Sequence, residues 1–283
     1  MLQHLVHPFG GHQQVDPLGR VAEPELAAAA REGDGQPVVG VTVVLSDGTV
    51  AQSGGKVIKN VAGYDLAKLF CGSLGTLGLI VRVAVRLHPL PAATASAVAG
   101  SDDPDRLGAA AVALAAHPLE ADALDLDWRA GSGRLLARFG GPSSPEQARE
   151  TLARMEAAGL GDGAVVEDDD ELWMTQRVRQ RGACVLKVSG RITDLPAVCR
   201  AADAVVGRAG LGLFWLSVEP DAVEAVRAAL APRACTLLDG PAELRASAAW
   251  AAPDPGALVV MSRVKERFDP ARIFRPGTFV GGI

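Results

Sequence analysis

The sequence predicts an α+β chain, and three observations predict it. A valine-rich alternating run, Val38 to Leu45, meets a Ser46-Asp47-Gly48 turn and a returning stretch from Thr49 to Gln52, the pattern of a hairpin. A second alternating run, Leu79 to Leu87, leaves a glycine-rich turn. Beyond Ala92, strand-like and helix-like stretches interleave in two similar units.

Taken in order, the hairpin forms a small sheet edge. Tyr64 to Phe70 places Leu66, Leu69 and Phe70 at helical spacing with Asp65 near the start, so a short helix packs against that sheet. The run Leu79 to Leu87 then puts Leu79, Val81, Val83, Val85 and Leu87 on one face, and Arg82 and Arg86 on the other. At Ala92 a proline- and alanine-rich passage changes the character of the chain and marks a domain boundary. The first unit beyond it has strands at Ala121 to Asp127 and Arg134 to Phe139, a helix from Pro145 to Ala158 and a strand at Ala164 to Glu167. The second has a strand at Ala183 to Val188, a helix from Leu195 to Ala209, a strand at Leu211 to Val218, a helix from Pro220 to Leu230 and a strand at Cys235 to Leu238. Two such units predict a ferredoxin-like α+β sandwich over residues 92–254. Residues 255–283 are expected to return to the first part, 1–91.

Composition narrows the class. At 283 residues the chain holds about two domains. It is 48% hydrophobic, yet charges or prolines break every apolar run before the roughly 18 residues of a membrane helix. The net charge of −5 is dispersed, which disfavours nucleic acid as a partner. Met1 to Gly11 lacks a basic region followed by an apolar run, so a cytoplasmic protein is expected, touching a membrane only peripherally if at all. Cys71, Cys184, Cys199 and Cys235 form no Cys-x-x-Cys pair and read as reduced thiols, so no metal site is expected. Glu167 to Glu171 reads as a solvated acidic loop capping the next helix, and His4, His7 and His12 as a polar tail.

The densest signal lies between Gly54 and Ile80. Gly54, Gly55, Gly63, Gly72, Gly75 and Gly78 crowd an otherwise apolar stretch, implying positive φ or close approach of backbone to another group. Asn60, Ser73 and Thr76 add polar contacts beside it. Two nucleotide-binding patterns fail here. Gly55-Lys56 is followed by Val57, and Val50 stands where a phosphate loop needs its first glycine. Gly210-Leu211-Gly212 runs on to Trp215 where a dinucleotide fingerprint needs a third glycine.

The run Lys59-Asn60-Val61-Ala62-Gly63-Tyr64-Asp65-Leu66, then Gly72-Ser73-Leu74-Gly75-Thr76-Leu77-Gly78 and His88-Pro89-Leu90-Pro91, resembles the FAD-binding domain of the vanillyl-alcohol oxidase (PCMH) type of flavoprotein. Within that family it is most similar to the accessory flavin subunit of bacterial glycolate oxidase. Lys265-Glu266-Arg267-Phe268-Asp269-Pro270 and Phe274-Arg275-Pro276-Gly277 resemble the family's terminal signature, with Arg275 in place of asparagine. The resemblance implies FAD as cofactor and a partial FAD-binding domain followed by the ferredoxin-like cap. It also implies a 2-hydroxy acid substrate, and as partners a second FAD-binding catalytic subunit and an iron–sulfur subunit. Gly54, Gly55, Lys59, Asn60, Gly63, Tyr64, Asp65, Gly72, Ser73, Gly75, Thr76, Gly78 and Ile80 become the candidate flavin contacts.

Two departures qualify the implied activity. Only about fifty residues precede the motif, and they hold no glycine-rich pyrophosphate loop, so an N-terminally shortened member is expected. No catalytic base stands out: Gly161-Asp162-Gly163 lacks the histidine that precedes it in related dehydrogenases, and His88 and His117 each adjoin a proline. An accessory, electron-relaying subunit is therefore the expected role. The alternative is a scaffold that assembles without flavin. The local sequence Phe268-Asp269-Pro270 ends a helix in a turn, with Phe274 and Phe279 as anchors for the tail.

Overall fold

The computed structural model describes residues 38–54, 66–85 and 89–283. Six of the thirteen candidate contacts, Gly55, Lys59, Asn60, Gly63, Tyr64 and Asp65, lie outside the described residues, as do the three N-terminal histidines, His88 and Arg86-Leu87.

The hairpin forms where the turn chemistry places it. Strands β1 (Val38–Val44) and β2 (Val50–Gly54) pair antiparallel. The turn is closed by Gly48 N–H to Leu45 O and by Asp47 Oδ1 accepting from Thr49 N–H. The short helix α1 (Leu66–Phe70) leads to β3 (Leu79–Val85), which pairs with the other edge of β1 to give the order β2-β1-β3. Helix α8 (Pro255–Phe268), begun by Pro255 and by Asp254 Oδ1 capping Ala257 N–H, brings Val264 and Phe268 onto this sheet. A small core results, of Val41, Val43, Ala67, Phe70 and Leu77, with Phe70 and Phe268 packed edge to face at 5.5 Å.

The remaining elements build one eight-stranded antiparallel sheet. Its first half runs β4 (Thr94–Ser101), α2 (Pro104–Ala115), β5 (Ala123–Arg129), β6 (Ser132–Gly140), α3 (Ser144–Ala157) and β7 (Gly161–Glu167). After α4 (Asp170–Val178), the second half runs β8 (Val185–Ser189), α5 (Leu195–Ala201), β9 (Ala204–Arg208), β10 (Leu213–Ser217), α6 (Val223–Leu230) and β11 (Ala234–Asp239), followed by α7 (Ala242–Ala248). The strand order is β11-β8-β10-β9-β5-β6-β4-β7. Each half is a β-α-β-β-α-β unit with its fourth strand beside its first, the ferredoxin-like arrangement. The halves join through β5 and β9, with Leu126 opposite Gly207 and Trp128 opposite Val205. Alternate residues of all eight strands, among them Leu126, Leu135, Leu186 and Phe214, meet the helices in a continuous core. Gly108 lets α2 approach α5, since a Cβ there would lie 2.6 Å from Pro196 Cγ.

Three regions differ from expectation. β4 and α2 occupy the passage read as a boundary, because β4 (Thr-Ala-Ser-Ala-Val-Ala-Gly-Ser) is built from small side chains. Those fit a strand buried on both faces but carry little intrinsic strand signal. The expected helix from Leu195 to Ala209 stops at Ala201, and Ala204–Arg208 becomes β9. There Gly207 sits against Phe214, its hypothetical Cβ 2.5 Å from Cδ1, so cross-strand packing overrides the alanine-rich helical pattern. The acidic run is not wholly solvated. Asp169 is buried, accepts from Ser96 Oγ and lies 2.7 Å from Arg138 Nη2, and Trp173 donates Nε1–H to Ser96 Oγ. This network seats α4 on the sheet face opposite the other helices, over Val98 and Leu136.

Candidate functional site

The turn between α1 and β3 is the first candidate. Gly72 and Gly75 have φ of +79° and +75°, and Leu74 between them has +54°. Among the described residues, a Cβ on Gly72 would meet nothing within 4 Å, and one on Gly75 would meet only Arg275 Cδ at 3.5 Å. Their backbone is therefore open, and glycine is required by conformation alone. Gly54 and Gly78 differ. A Cβ on Gly54 would lie 2.2 Å from Val39 O, and one on Gly78 2.9 Å from both Phe70 Cε1 and Val44 O, so packing within the protein fixes both as glycine. Ser73 and Thr76 are buried, and Thr76 Oγ1–H donates to Ser73 O at 2.7 Å, tightening the turn. Ile80 stands exposed on β3.

A polar clasp holds this turn against the C-terminal segment. Lys265, 3% exposed, directs its three protons to Thr76 O (2.7 Å), Phe274 O (2.8 Å) and Asp269 Oδ2 (2.6 Å), which satisfies the ammonium fully. Asp269 in turn accepts from the N–H groups of Ile273 and Phe274. Burial pushes the Asp269 carboxyl up, but the Lys265 hydrogen bond and the two backbone donors outweigh it, and it titrates below the usual carboxylate range. Ser46 Oγ–H adds a bond to Phe268 O, tying the hairpin turn to the end of α8. Arg275, at φ +38°, donates Nη1–H to Leu74 O at 3.1 Å. Phe279 packs on Trp250 at 5.1 Å, and Trp250 Nε1–H donates to Thr278 O, anchoring the tail. Phe274 serves through its backbone.

The second candidate is the face of the eight-stranded sheet that carries α4. Asp125 and Asp127 point away from the core of β5, opposite to Leu126 and Trp128, and both are buried by side chains above the sheet. Asp127 lies 3.0 Å from Arg134 Nη2, 2.8 Å from Arg179 Nη1 and 3.5 Å from Arg129 Nε, while Arg208 Nε lies 3.9 Å from Asp125. Four guanidiniums thus surround two carboxylates. Along the same face Lys187 Nζ stands 5.9 Å from the Trp215 ring. In the sequence, Lys265 and Asp269 stand out only as part of the terminal signature, and neither their pairing nor this cluster is read from it. The signals were present: a Lys and an Asp at i, i+4 in an amphipathic helix, and carboxylates alternating with apolar residues in Leu124-Asp125-Leu126-Asp127-Trp128.

Cys184, Cys199 and Cys235 are buried free thiols and Cys71 is exposed. Burial pushes the Cys199 thiol up to about 12, leaving it protonated and inert. Among the described residues no group of three or more metal-ligating side chains gathers, and no helix is long and apolar enough to cross a membrane.

No family model matches the chain. A stretch of 54 residues is 52% identical to the glycolate oxidase subunit GlcD of Bacillus subtilis, covering 19% of this chain and 12% of that one. Another comparison, over 59 residues, gives 41% identity to the glycolate oxidase subunit GlcE of Escherichia coli, 21% of this chain and 17% of the relative. The matched stretches thus span less than a fifth of these curated relatives. Among solved structures, the glucooligosaccharide oxidase of Acremonium strictum superposes with a TM-score of 0.56 at 13% identity, over 87% of this chain and 66% of that one. A VAO-type flavoprotein from Myceliophthora thermophila gives a TM-score of 0.50 at 13% identity, over 87% of this chain and 57% of that one. The fold is therefore shared with VAO-type flavoproteins.

Proposed function

We propose that this chain is part of an FAD-linked oxidoreductase acting on a small 2-hydroxy acid, and that it supplies one wall of the flavin site. The observation that carries the reading is the open turn at Gly72 and Gly75, whose backbone is free to meet a ligand and whose position is fixed by Lys265 and Asp269. The curated relatives named as glycolate oxidase subunits support it.

The described residues fit such a wall. Gly72, Ser73, Gly75 and Thr76 form the turn; Gly54 and Gly78 hold the sheet beneath it; Ile80 offers an apolar contact beside it. Gly55, Lys59, Asn60, Gly63, Tyr64 and Asp65, outside the described residues, are the further flavin contacts that the motif implies. FAD, when bound, accepts the hydride of the substrate. Residues 1–91 and 255–283 make up the flavin-binding part and 92–254 the cap. The chain's role is that of the accessory flavin subunit, with a second FAD-binding catalytic subunit and an iron–sulfur subunit as its partners.

The visible spectrum of the purified chain tests this reading, taken after FAD is added and the excess removed. Flavin bands approaching one per chain, reduced several-fold in Gly72→Val while the far-UV circular dichroism is retained, are expected. A folded chain that stays colourless, alone and with its partner subunits, would overturn it.

A further inference from the structure

The tail sets a strained arginine over the open turn. Arg275 has a φ of +38°, a conformation that an L side chain adopts only at a cost and that Gly277, two residues on, takes as glycine at +77°. The Arg275 side chain is exposed yet held in place: Nη1–H donates to Leu74 O at 3.1 Å, and Cδ lies 3.5 Å from the point that a Cβ on Gly75 would occupy. That bond uses one of the five N–H donors of a guanidinium. No carboxylate pairs with Arg275 among the described residues, and the one nearest in sequence, Asp269, is committed to Lys265 and to the N–H groups of Ile273 and Phe274. The turn adds donors of its own. The N–H groups of Leu74 and Gly75 meet no acceptor among the described residues, whereas those on either side are used, Ser73 N–H by Phe70 O and Thr76 N–H by Ser73 O.

This set of donors lacks an acceptor of opposite charge. The planar fork of arginine matches the oxygens of a phosphate, and backbone N–H groups in turns of positive φ meet phosphate oxygens as well. We propose that Arg275 is a cofactor-binding residue whose guanidinium, with the N–H groups of Leu74 and Gly75, takes the diphosphate of FAD. The inference deepens the flavin reading, on which the source of the diphosphate rests, and it adds a residue that lies outside the Gly54 to Ile80 stretch.

The clasp delivers the arginine to this place. Lys265 holds the carbonyl of Phe274 and Asp269 holds its N–H, so the residue that follows is fixed at the turn, 201 positions from Leu74 in sequence. Lys265 itself is not available to the cofactor, because its three protons are used within the protein. Arg275 is the clasp's cation with donors to spare. The diphosphate is the part of FAD that matches it, since it is charged in both oxidation states of the flavin.

The test is titration calorimetry of the purified chain with FAD, ADP and inorganic diphosphate, for the wild type, Arg275→Gln and Arg275→Lys. Glutamine keeps an N–H for Leu74 O without the charge, and lysine keeps the charge without the fork. Arg275→Gln is expected to weaken FAD and ADP about tenfold or more while the thermal midpoint of the unliganded chain is unchanged, and Arg275→Lys to recover part of the loss. Added salt is expected to weaken binding by the wild type more than by Arg275→Gln. The proposal is overturned if Arg275→Gln binds as the wild type does, since the arginine then only ties the tail to the turn, or if its losses track a lowered midpoint. It is equally overturned if FAD is weakened while ADP and diphosphate are not, which would set Arg275 against the flavin ring, or if none of the three binds the wild type. The two readings fail separately: FAD bound equally by the wild type and Arg275→Gln ends this one alone, and ADP bound through Arg275 with no binding of FAD ends the flavin reading alone.

Discussion

The two sheets close in different ways. In the eight-stranded sheet every strand sends alternate apolar side chains into one core, and Leu126, Leu135, Leu186, Leu216 and Phe214 are fully enclosed. Among the described residues, the three-stranded sheet has a core of five buried residues and leaves one of its strands apolar and exposed. A large hydrophobic core dominates the first. In the second, where apolar area is scarce, a buried ion pair with its full set of hydrogen bonds fixes the segment that carries the candidate site. The difference assigns rigidity to the large sheet and adaptability to the small one, except at the clasp.

Removing half of the clasp is the strongest test of that contrast. Lys265→Ala leaves the Asp269 carboxylate buried without its cation, which costs about 3–5 kcal/mol for an enclosed pair. Urea unfolding followed by Trp250, which lies in the tail region, is expected to show that loss. A probe of the large sheet such as Trp128 is expected to shift less. If both probes moved together by the full amount, the two sheets would unfold as one unit and the contrast would be lost.

The glycines sharpen it further. Gly72→Ala meets no atom of the described residues and pays for its positive φ, about 1–2 kcal/mol. Gly54→Ala pays the same and also forces Val39 O away, so its thermal midpoint is expected to fall further. Flavin retention is expected to order the two oppositely relative to their stability. Gly72→Ala loses more cofactor per degree of midpoint lost, because only its backbone is open to a ligand. Equal losses would show that the turn acts through stability alone.

How much of this was legible in the sequence follows the same division. The hairpin, β3 and strands β8, β10 and β11 were readable because short runs of β-branched or large apolar residues and a Ser-Asp-Gly turn declare themselves locally. β4 and β9 were not. Their alanines, serines and glycines are chosen by neighbours distant in sequence, as Gly207 is by Phe214 and the small side chains of β4 are by burial on both faces. The motif glycines were legible as a cluster, yet only coordinates separate Gly72 and Gly75, which are open, from Gly54 and Gly78, which packing demands. The clasp escaped because Lys265 meets Thr76 across 189 residues, a pairing that no local pattern announces.

Acid should act on the small sheet before the large one. Asp269 is depressed in the folded chain, so its contribution is fully present above the unfolded carboxylate value near 3.9 and is lost as pH falls through the lower folded value. Asp194, held down by Arg233, follows the same sign in the large sheet, but it is partly exposed and solvent weakens its share. Deuterium exchange at pH 3 against pH 6, corrected for intrinsic rates, is expected to show Thr76 and Phe274 losing protection first. The Asp269→Asn variant is expected to remove most of that pH dependence.

The smallest effect is the most direct probe of the bare strand. Val81→Thr keeps the shape and adds a hydroxyl, and on an exposed strand it should change stability by no more than about 0.5 kcal/mol. The same exchange at Val188, enclosed in the large core, buries a hydroxyl and should cost about 1–3 kcal/mol. Urea midpoints of the two variants measure the difference. A cost at Val81 close to that at Val188 would mean that β3 is already covered in the isolated chain, and the small sheet would then be closed like the large one.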